Sequence, residues 1–254
     1  MPRIWVLAGT TEGREIIPLL KDRGYEVVAT AATEYGESLV RKAGADIALR
    51  GRLGLEEMTA LIREREVTHV VDATHPFAKE ASSNAIEACR QTGTRYLRLE
   101  REEVRIDSPL VHRCRSFEEA AEKAAELGKT VFCALGSSNL EVFVKAMDNR
   151  GRIVARILPT VEAVKKCRSL GLEPGEIIAI QGGGSLELNK ALLRDTRAEV
   201  LVTKESGAAG GEEAKIKAAL SMGLPVVLIT RPRINYTAVV RDYDDVLRWL
   251  EENR

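Results

Sequence analysis

Short apolar runs alternate along this chain with longer segments in which apolar residues recur every three or four positions. The short runs are rich in Val, Ile and Ala without polar alternation, which predicts strands buried on both faces. The longer segments have the spacing of amphipathic helices. In the first part of the chain the predicted strands are 4–8, 26–32, 46–49, 68–72 and 95–99. The predicted helices are 12–23, one around 39–43, 55–65 and 77–91.

The alternation of strands and helices predicts parallel sheets with right-handed crossovers. After a charged, irregular stretch at 100–115, a helix over 116–127 and a strand over 130–134 begin the same series again. Gly9 and Gly136, each between an apolar strand and two hydroxyl residues, stand half a chain length apart. An ancient duplication would produce this recurrence, and so would convergent strand-to-helix turn chemistry. We expect two similar α/β domains, 1–102 and 103–254.

The amino-acid composition argues against several classes of function. The 254 residues, 44% hydrophobic and 30% charged, suit two ordered domains. Lys and Arg balance Asp and Glu at 38 each and aromatic residues make up 4%, which argues against nucleic-acid binding. The sequence shows neither a signal peptide nor a membrane span, so we expect a cytoplasmic protein without a membrane partner. Four widely spaced cysteines predict buried free thiols and no metal site: Cys89, Cys114, Cys133 and Cys167.

The first strand-to-helix turn reads AGTTEGRE, residues 8–15. Gly9 permits a tight turn, Thr10 and Thr11 offer hydroxyl and N–H groups, and the helix N-terminus behind them favours an anion. This pattern predicts phosphate binding, although a Thr-rich cap before Glu12 is also an ordinary helix start.

The end of the second strand bears on the type of cofactor. An acid there would hold the adenosine ribose of NAD, but the chain has Thr30 and Thr33 and no carboxylate before Glu34. Arg14 is placed on the first helix. The pattern favours NADP over NAD.

The fourth strand runs into DATHPFA, residues 72–78, which contains one of only three histidines. Thr74 and His75 lie where strand gives way to helix, and Pro76 is well placed to open that helix. A histidine at this position can donate hydrogen bonds or a proton near neutral pH. It can equally serve only to cap or pack the turn.

Two turns in the second half of the chain also combine glycines with polar residues that could bind a ligand. ALGSSNLEVF, at 134–143, repeats the first turn and supplies Gly136 and Ser137. VTKESGAAGGEEAKI, at 202–216, follows a strand and offers a lysine, a serine and glycines: Lys204, Ser206, Gly207, Gly210 and Gly211. This order favours anion binding over a solvated flexible loop.

Two arginines stand at the end of the fifth strand, in YLRLER. Arg98 lies among apolar residues and Arg101 follows three positions later. Together they could bind a carboxylate.

The motifs taken together resemble the precorrin-6A reductase family of corrin biosynthesis, including its cobalt-precorrin-6A branch. The resemblance rests on GTTEGRE, DATHPFA, YLRLER, QGGGSLELNKALLR and TKESGAAGGEEAKIKAAL followed by GLPVVLITRP, in the family's order over nearly the whole chain. The chain departs from the family at Gly182, Gly183 and Gly184, where Gly-Pro-Phe is common, and at 102–104, where Pro and Trp often stand.

The resemblance implies two Rossmann-like three-layer domains with a cleft between them, NADPH as cofactor and a tetrapyrrole as substrate, with neighbouring corrin-pathway enzymes as further partners. Hydride would go to carbon 19 of the macrocycle and a proton to carbon 18. His75 would orient cofactor or substrate, or donate the proton. The expected cofactor residues are Gly9, Thr10, Thr11, Glu12, Arg14, Thr74, Gly136, Ser137, Lys204, Ser206 and Gly207. The expected substrate residues are His75, Arg98, Arg101, Lys204, Gly210 and Arg231.

Two rival functions remain open at the level of sequence. A two-domain α/β protein that binds a nucleotide or sugar phosphate without redox chemistry would share these turns. A reductase of a smaller ketone or imine would need a Tyr-x-x-x-Lys pair or a comparable acid, and no tyrosine of the chain has a lysine four positions later.

Overall fold

The computed structural model describes residues 2–101, 104, 106–207 and 211–253. The chain divides into two compact units, the first formed by Met1–Arg101 with Pro232–Arg254 and the second by Glu102–Arg231. The predicted boundary near residue 102 is close to this division. The assignment of the last segment to the second domain is wrong, because that segment joins the first unit.

The first unit contains a parallel six-stranded sheet. Its strands are β1 (Arg3–Leu7), β2 (Glu26–Ala31), β3 (Ile47–Arg50), β4 (His69–Asp72), β5 (Arg95–Leu99) and β12 (Val239–Val240). Its helices are α1 (Thr11–Asp22), α2 (Glu34–Lys42), α3 (Leu55–Glu64), α4 (Lys79–Thr92) and α10 (Tyr243–Glu252). The strand order is β12-β5-β4-β1-β2-β3.

The second unit contains a sheet of the same size, in the order β6-β11-β10-β7-β8-β9. Its strands are β6 (Val111–Cys114), β7 (Thr130–Ala134), β8 (Arg152–Ile157), β9 (Ile177–Ala179), β10 (Val200–Lys204) and β11 (Val226–Ile229). Its helices are α5 (Phe117–Leu127), α6 (Leu140–Met147), α7 (Val161–Ser169), a short 3-10 helix (Pro174–Glu176), α8 (Leu186–Asp195) and α9 (Glu212–Ser221).

The two sheets have the same strand order when β1 is matched with β7, so the predicted similarity of the halves is confirmed at the level of topology. Each sheet takes one edge strand from an unexpected part of the sequence. β6 follows β5 along the chain but pairs with β11, and β12 follows β11 but pairs with β5. The stretch 100–115 therefore contains a strand, where the sequence predicted irregular structure.

Alternate residues of β1 enter different apolar clusters, which is the expected arrangement of a sheet covered on both faces. Ile4 and Val6 pack with residues of α1 and α10, whereas Trp5 and Leu7 pack with residues of α3 and α4. The first unit is therefore three-layered, as predicted. All four cysteines are buried free thiols, which was also expected.

α10 explains why the last segment belongs to the first unit. Its Val246, Leu247 and Leu250 are buried in the same cluster as Ile4 and Val6. Fully burying one such side chain is worth about 1.5–3 kcal/mol, so the helix contributes substantially to this core. Within the described part of the chain, no helix has the length and apolar character required to span a membrane.

Candidate functional site

The turn after β1 is built around the side chain of Thr10, which is 5% exposed. Its Oγ1 accepts a hydrogen bond from the Gly13 N–H at 3.2 Å and so caps α1. The same hydroxyl donates to the Ala73 carbonyl at 2.7 Å. One threonine thus ties the turn after β1 to the turn after β4, at the carboxyl edge of the sheet, where such folds bind ligands.

Gly13 lets the helix approach the strand that precedes it. A Cβ atom at Gly13 would lie 2.6 Å from Cα of Ala8, far inside van der Waals contact. Gly9, by contrast, has no described atom within 4 Å of such a Cβ, which leaves space for a ligand beside its backbone. These are the roles that glycines play in dinucleotide-binding turns, namely close helix packing and access to a pyrophosphate. The spacing Gly9-x-x-x-Gly13 is a usable sequence signal for Gly13, which is absent from the predicted cofactor residues.

Two charged side chains at the start of α1, Glu12 and Arg14, are each held by contacts of their own. Arg14 donates to the Thr10 carbonyl at 3.1 Å and to the Thr11 hydroxyl at 3.0 Å. Glu12 and Arg101 form a two-pronged ion pair, with both N–O distances at 2.7 Å. Because Arg101 compensates the carboxylate of Glu12, the N-terminus of α1 keeps its preference for an anion. Arg101 follows the carboxyl end of β5, where the sequence analysis placed it.

The two threonines that the sequence places at the end of β2 both form hydrogen bonds within the first unit. The Thr30 hydroxyl accepts from the indole N–H of Trp5 at 3.0 Å. Thr33 caps α2 by accepting from the Gly36 N–H at 3.0 Å. Neither residue brings a negative charge to the position where an adenosine ribose would lie.

A buried network centred on Asp72 holds the turn after β4. Oδ1 of Asp72 accepts from Nη1 of Arg98 and from the Thr74 N–H, both at 2.9 Å. Oδ2 accepts from the hydroxyls of Ser82 and Tyr96, both at 2.6 Å. Burial alone would raise the pKa of Asp72, but the Arg98 guanidinium and these hydrogen bonds hold it below its ordinary value. Asp72 is therefore a buried carboxylate anion.

Arg98 is 1% exposed and belongs to this network. Its guanidinium donates to the hydroxyl and the carbonyl of Thr74, both at 3.0 Å, and lies 5.3 Å from the ring centroid of Tyr236. The prediction that Arg98 contacts a substrate carboxylate is contradicted by this burial. Asp72 and Arg98 are paired in the β4–β5 register, so the partner of the arginine lies on the adjacent strand.

His75 sits half-buried in a tight turn before α4. Its Nδ1 accepts from the Phe77 N–H at 3.1 Å, and its carbonyl accepts from the Ala78 N–H at 2.8 Å. With Nδ1 as acceptor, the proton of the neutral ring lies on Nε2. The helix begins at Lys79 and not at Phe77, so Pro76 belongs to the turn. One ring nitrogen of His75 therefore holds the turn, and its role toward cofactor or substrate stays a prediction.

The turn after β7 occupies the place in the second unit that the Gly9 turn has in the first. Gly136 has a φ of +70°, a conformation that favours glycine, and no described atom lies within 4 Å of the position that a Cβ would take there. α6 starts without a side-chain cap from Asn139. The Lys166 ammonium donates to the Ser138 carbonyl at 3.3 Å. The assignment of Gly136 and Ser137 to the cofactor stays a prediction.

The loop after β10 combines Lys204, Ser206 and Gly207 at one strand end. Burial lowers the pKa of Lys204 to about 8. The Gly207 N–H donates to Oε2 of Glu212 at 2.6 Å, which links this loop to the start of α9. Gly210, a predicted substrate residue, lies outside the described residues.

Arg231 is held beside this loop by Glu205. Its backbone N–H donates to Oε2 of Glu205 at 3.0 Å, and its Nε donates to the Glu205 carbonyl at 3.1 Å. Arg113 donates to the other carboxylate oxygen of Glu205 at 3.0 Å. Glu205, which is absent from the predicted site residues, therefore positions two arginines of the second unit.

Comparisons with known proteins agree with one another. A family model described as precorrin-6x reductase CbiJ/CobK matches residues 3–251. A protein of Methanothermobacter thermautotrophicus named cobalt-precorrin-6A reductase is 43% identical over 234 residues, covering 91% of this chain and 76% of that protein. One of the same name from Priestia megaterium is 39% identical over 249 residues, with 97% of each chain covered. A solved structure titled CobK precorrin-6A reductase has a TM-score of 0.82 and 27% identity, covering 100% of this chain and 98% of the other.

Proposed function

Because the chain belongs to the precorrin-6x reductase CbiJ/CobK family, we propose that it reduces one macrocycle double bond of precorrin-6A, or of its cobalt complex, with NADPH as reductant. The relatives that carry the reductase name extend over nearly the whole chain. The product would be the corresponding 6B compound of corrin ring biosynthesis. Four buried free thiols are consistent with a reducing, cytoplasmic location.

The observation that carries the cofactor assignment is the turn after β1. Gly13 allows close packing of α1 on β1, Gly9 leaves its backbone open, and Thr10 fixes the turn. These residues fit a pyrophosphate at the N-terminus of α1. Thr30 and Thr33 at the end of β2 do not repel a 2′-phosphate as a carboxylate would, which supports NADPH over NADH.

The protein's own contribution is positioning and proton handling. When bound, NADPH supplies the hydride that the reaction requires. The turn held by Asp72 and Arg98 orients His75. His75, whose Nε2 carries the proton of the neutral ring, would orient a reactant or deliver the proton to carbon 18, while hydride goes to carbon 19. Exclusion of water and close alignment of the reacting carbons would supply much of the rate.

The substrate would carry several carboxylates, so a protein with no net charge must place its cations locally. Arg101, Lys204 and Arg231 retain this proposed role. Arg98 changes role in the proposal, because its burial makes it a positioning residue for Thr74 and His75.

The direct test is to mix the purified protein with NADPH and precorrin-6A, with and without cobalt in the ring, and to follow the absorbance of both reactants. We expect the oxidation of one NADPH for each macrocycle reduced, and a slower reaction with NADH at the same concentration. A nucleotide-binding protein without redox chemistry would leave both absorbance spectra unchanged.

A further inference from the structure

Tyr236 lies in the segment between β11 and β12, which belongs to the first unit. Its side chain is half-buried and packs against the apolar cluster on the side of the first sheet that α3 and α4 cover. The residue belongs to none of the sequence motifs that indicate the site. Its contacts nevertheless lead, through two further residues, to the turn that carries His75.

The aromatic ring of Tyr236 lies against the guanidinium of Arg98. Cζ of Arg98 is 5.3 Å from the ring centroid, within the range of a cation–π interaction. Arg98 is 1% exposed, and its Nε is buried without a hydrogen-bond partner among the described residues. The ring therefore interacts with a charge that water does not reach, which is the situation in which a cation–π interaction is strongest.

The phenol group of Tyr236 lies beside the buried network centred on Asp72. Burial raises the pKa of Tyr236, the positive charge of Arg98 and the hydroxyl of Ser82 oppose this rise, and the carboxylates of Glu100 and Asp72 reinforce it. Because the ordinary pKa of a tyrosine already lies well above neutrality, the phenol stays protonated near pH 7. Tyr236 is therefore a neutral aromatic neighbour of the Asp72–Arg98 pair and adds no charge to it.

The backbone that follows Tyr236 is fixed to β5. The Arg98 N–H donates to the Ala238 carbonyl at 2.9 Å, and the Thr237 hydroxyl donates to the Tyr96 carbonyl at 3.4 Å. These bonds continue into the parallel pairing of β12 with β5. The position of the Tyr236 ring at Arg98 is therefore set by main-chain pairing as well as by side-chain packing.

Arg98 connects the ring of Tyr236 with the turn after β4. Its Nη1 donates to the Thr74 hydroxyl and its Nη2 to the Thr74 carbonyl, both at 3.0 Å. Thr74 directly precedes His75, whose Nδ1 accepts from the Phe77 N–H at 3.1 Å. Because a guanidinium is planar and its hydrogen bonds lie in that plane, an aromatic ring over its face opposes the tilting that would break both bonds to Thr74.

We propose that Tyr236 is a positioning residue for His75, which it influences through Arg98 and Thr74 by means of its aromatic face. The inference rests on the proposed function for the part that His75 plays in the reaction. It adds to the site a residue that lies far from the other site residues of the first unit in the sequence and reaches them only in the fold.

The test compares Tyr236→Phe with Tyr236→Leu. Phenylalanine keeps the aromatic face and loses the hydroxyl, whereas leucine keeps an apolar side chain and loses the face. With saturating NADPH and precorrin-6A, Tyr236→Leu should lower kcat by about ten- to a hundred-fold, because a small displacement of a reacting group costs much of the rate. Tyr236→Phe should retain the kcat of the wild type.

A second readout requires no turnover. The chain has three histidines, so the ring signals of His75 in the NMR spectrum of ¹⁵N-labelled protein are assigned by their loss in His75→Asn. We expect Tyr236→Leu to shift the Nδ1 signal of His75, because the hydrogen bond from the Phe77 N–H is altered, and Tyr236→Phe to leave the signal in place. The spectrum is recorded without substrate, so a failure of the reductase assay and a failure of the positioning role remain distinguishable.

Tyr243→Leu is the matched control, because Tyr243 lies on α10 of the same unit and its hydroxyl donates to Oε2 of Glu15 at 2.6 Å. It should leave kcat and the His75 signal unchanged. The proposal is overturned if Tyr236→Leu leaves the His75 signal in place, or if Tyr243→Leu shifts it as far. It is also overturned if Tyr236→Phe has the effect of Tyr236→Leu, which would assign the role to the hydroxyl. If Tyr236→Leu does not fold, Tyr236→Met takes its place and the same outcomes decide.

Discussion

Asp72 and Arg98 form an ion pair that is buried on all sides, with 2.9 Å between Oδ1 and Nη1 and side-chain exposures of 0% and 1%. The pair is not a site for an external anion. It is an internal clamp, because both residues bond to Thr74 and thereby hold the turn that carries His75.

Removing one partner of this ion pair should lower the free energy of unfolding substantially. Asp72→Asn would leave the Arg98 charge buried without compensation, so we expect a loss of about 3–5 kcal/mol in the free energy of unfolding, measured with urea. The exposed pair of Glu87 and Arg90 is the control, and Glu87→Gln should leave the urea midpoint unchanged. A small loss at Asp72, similar to the control, would show that the pair is dispensable.

His75 is predicted to affect turnover more than stability. His75→Asn keeps a short polar side chain that can accept from the Phe77 N–H, but it removes the ring proton on Nε2. If His75 delivers the proton, kcat should fall by about 10²–10⁴ while the melting temperature changes little. An unchanged kcat together with a lower melting temperature would assign His75 to the turn alone.

Gly13 and Gly9 should respond differently to the same substitution. Gly13→Ala places a methyl group 2.6 Å from Cα of Ala8, so we expect a loss of stability of about 1–3 kcal/mol from overpacking. Gly9→Ala meets no described atom and should leave the urea midpoint unchanged while weakening NADPH binding. Equal stability of the two variants would contradict the packing role of Gly13, and unaltered NADPH affinity of Gly9→Ala would move the cofactor away from this turn.

The pH dependence of stability should show the effect of burying Lys215, which lies on α9 and is 8% exposed. The pKa of Lys215 is lowered from 10.5 to about 8 in the folded state, so between these values the unfolded chain binds more protons. Stability from this group therefore rises as the pH increases from about 8 to about 10.5. Wild type and Lys215→Met are compared by urea unfolding across this range. The rise should be smaller in the variant, and parallel curves would show that Lys215 is not buried as a charge.

The regular elements of the fold were predictable because buried parallel strands form unbroken apolar runs. β1, β4, β5 and β7 lie within a residue or two of their predicted bounds. β12 was missed because a strand of two residues carries almost no pattern. β6 was missed because it lies at the sheet edge in a charged stretch, and neighbours distant in sequence determine whether such a segment pairs.

The turns of the site could be predicted from the sequence, whereas the partners of its charged side chains could not. Gly9, Thr10 and the DATHPFA turn could be predicted because strand ends and helix caps are recognised from residues that are neighbours in the sequence. Whether an arginine faces solvent or an internal acid depends on strand register, so Arg98 was assigned to the substrate although Asp72 is its partner.

The most direct measurement for the central claim uses NADPH that carries deuterium at the transferable position of its nicotinamide ring. The purified protein is incubated with this cofactor and precorrin-6A in ordinary water, and the product is analysed by NMR. We predict one deuterium at carbon 19 of the macrocycle and a solvent-derived proton at carbon 18. A product without deuterium, or no product with either the metal-free or the cobalt substrate, would contradict the proposed reaction.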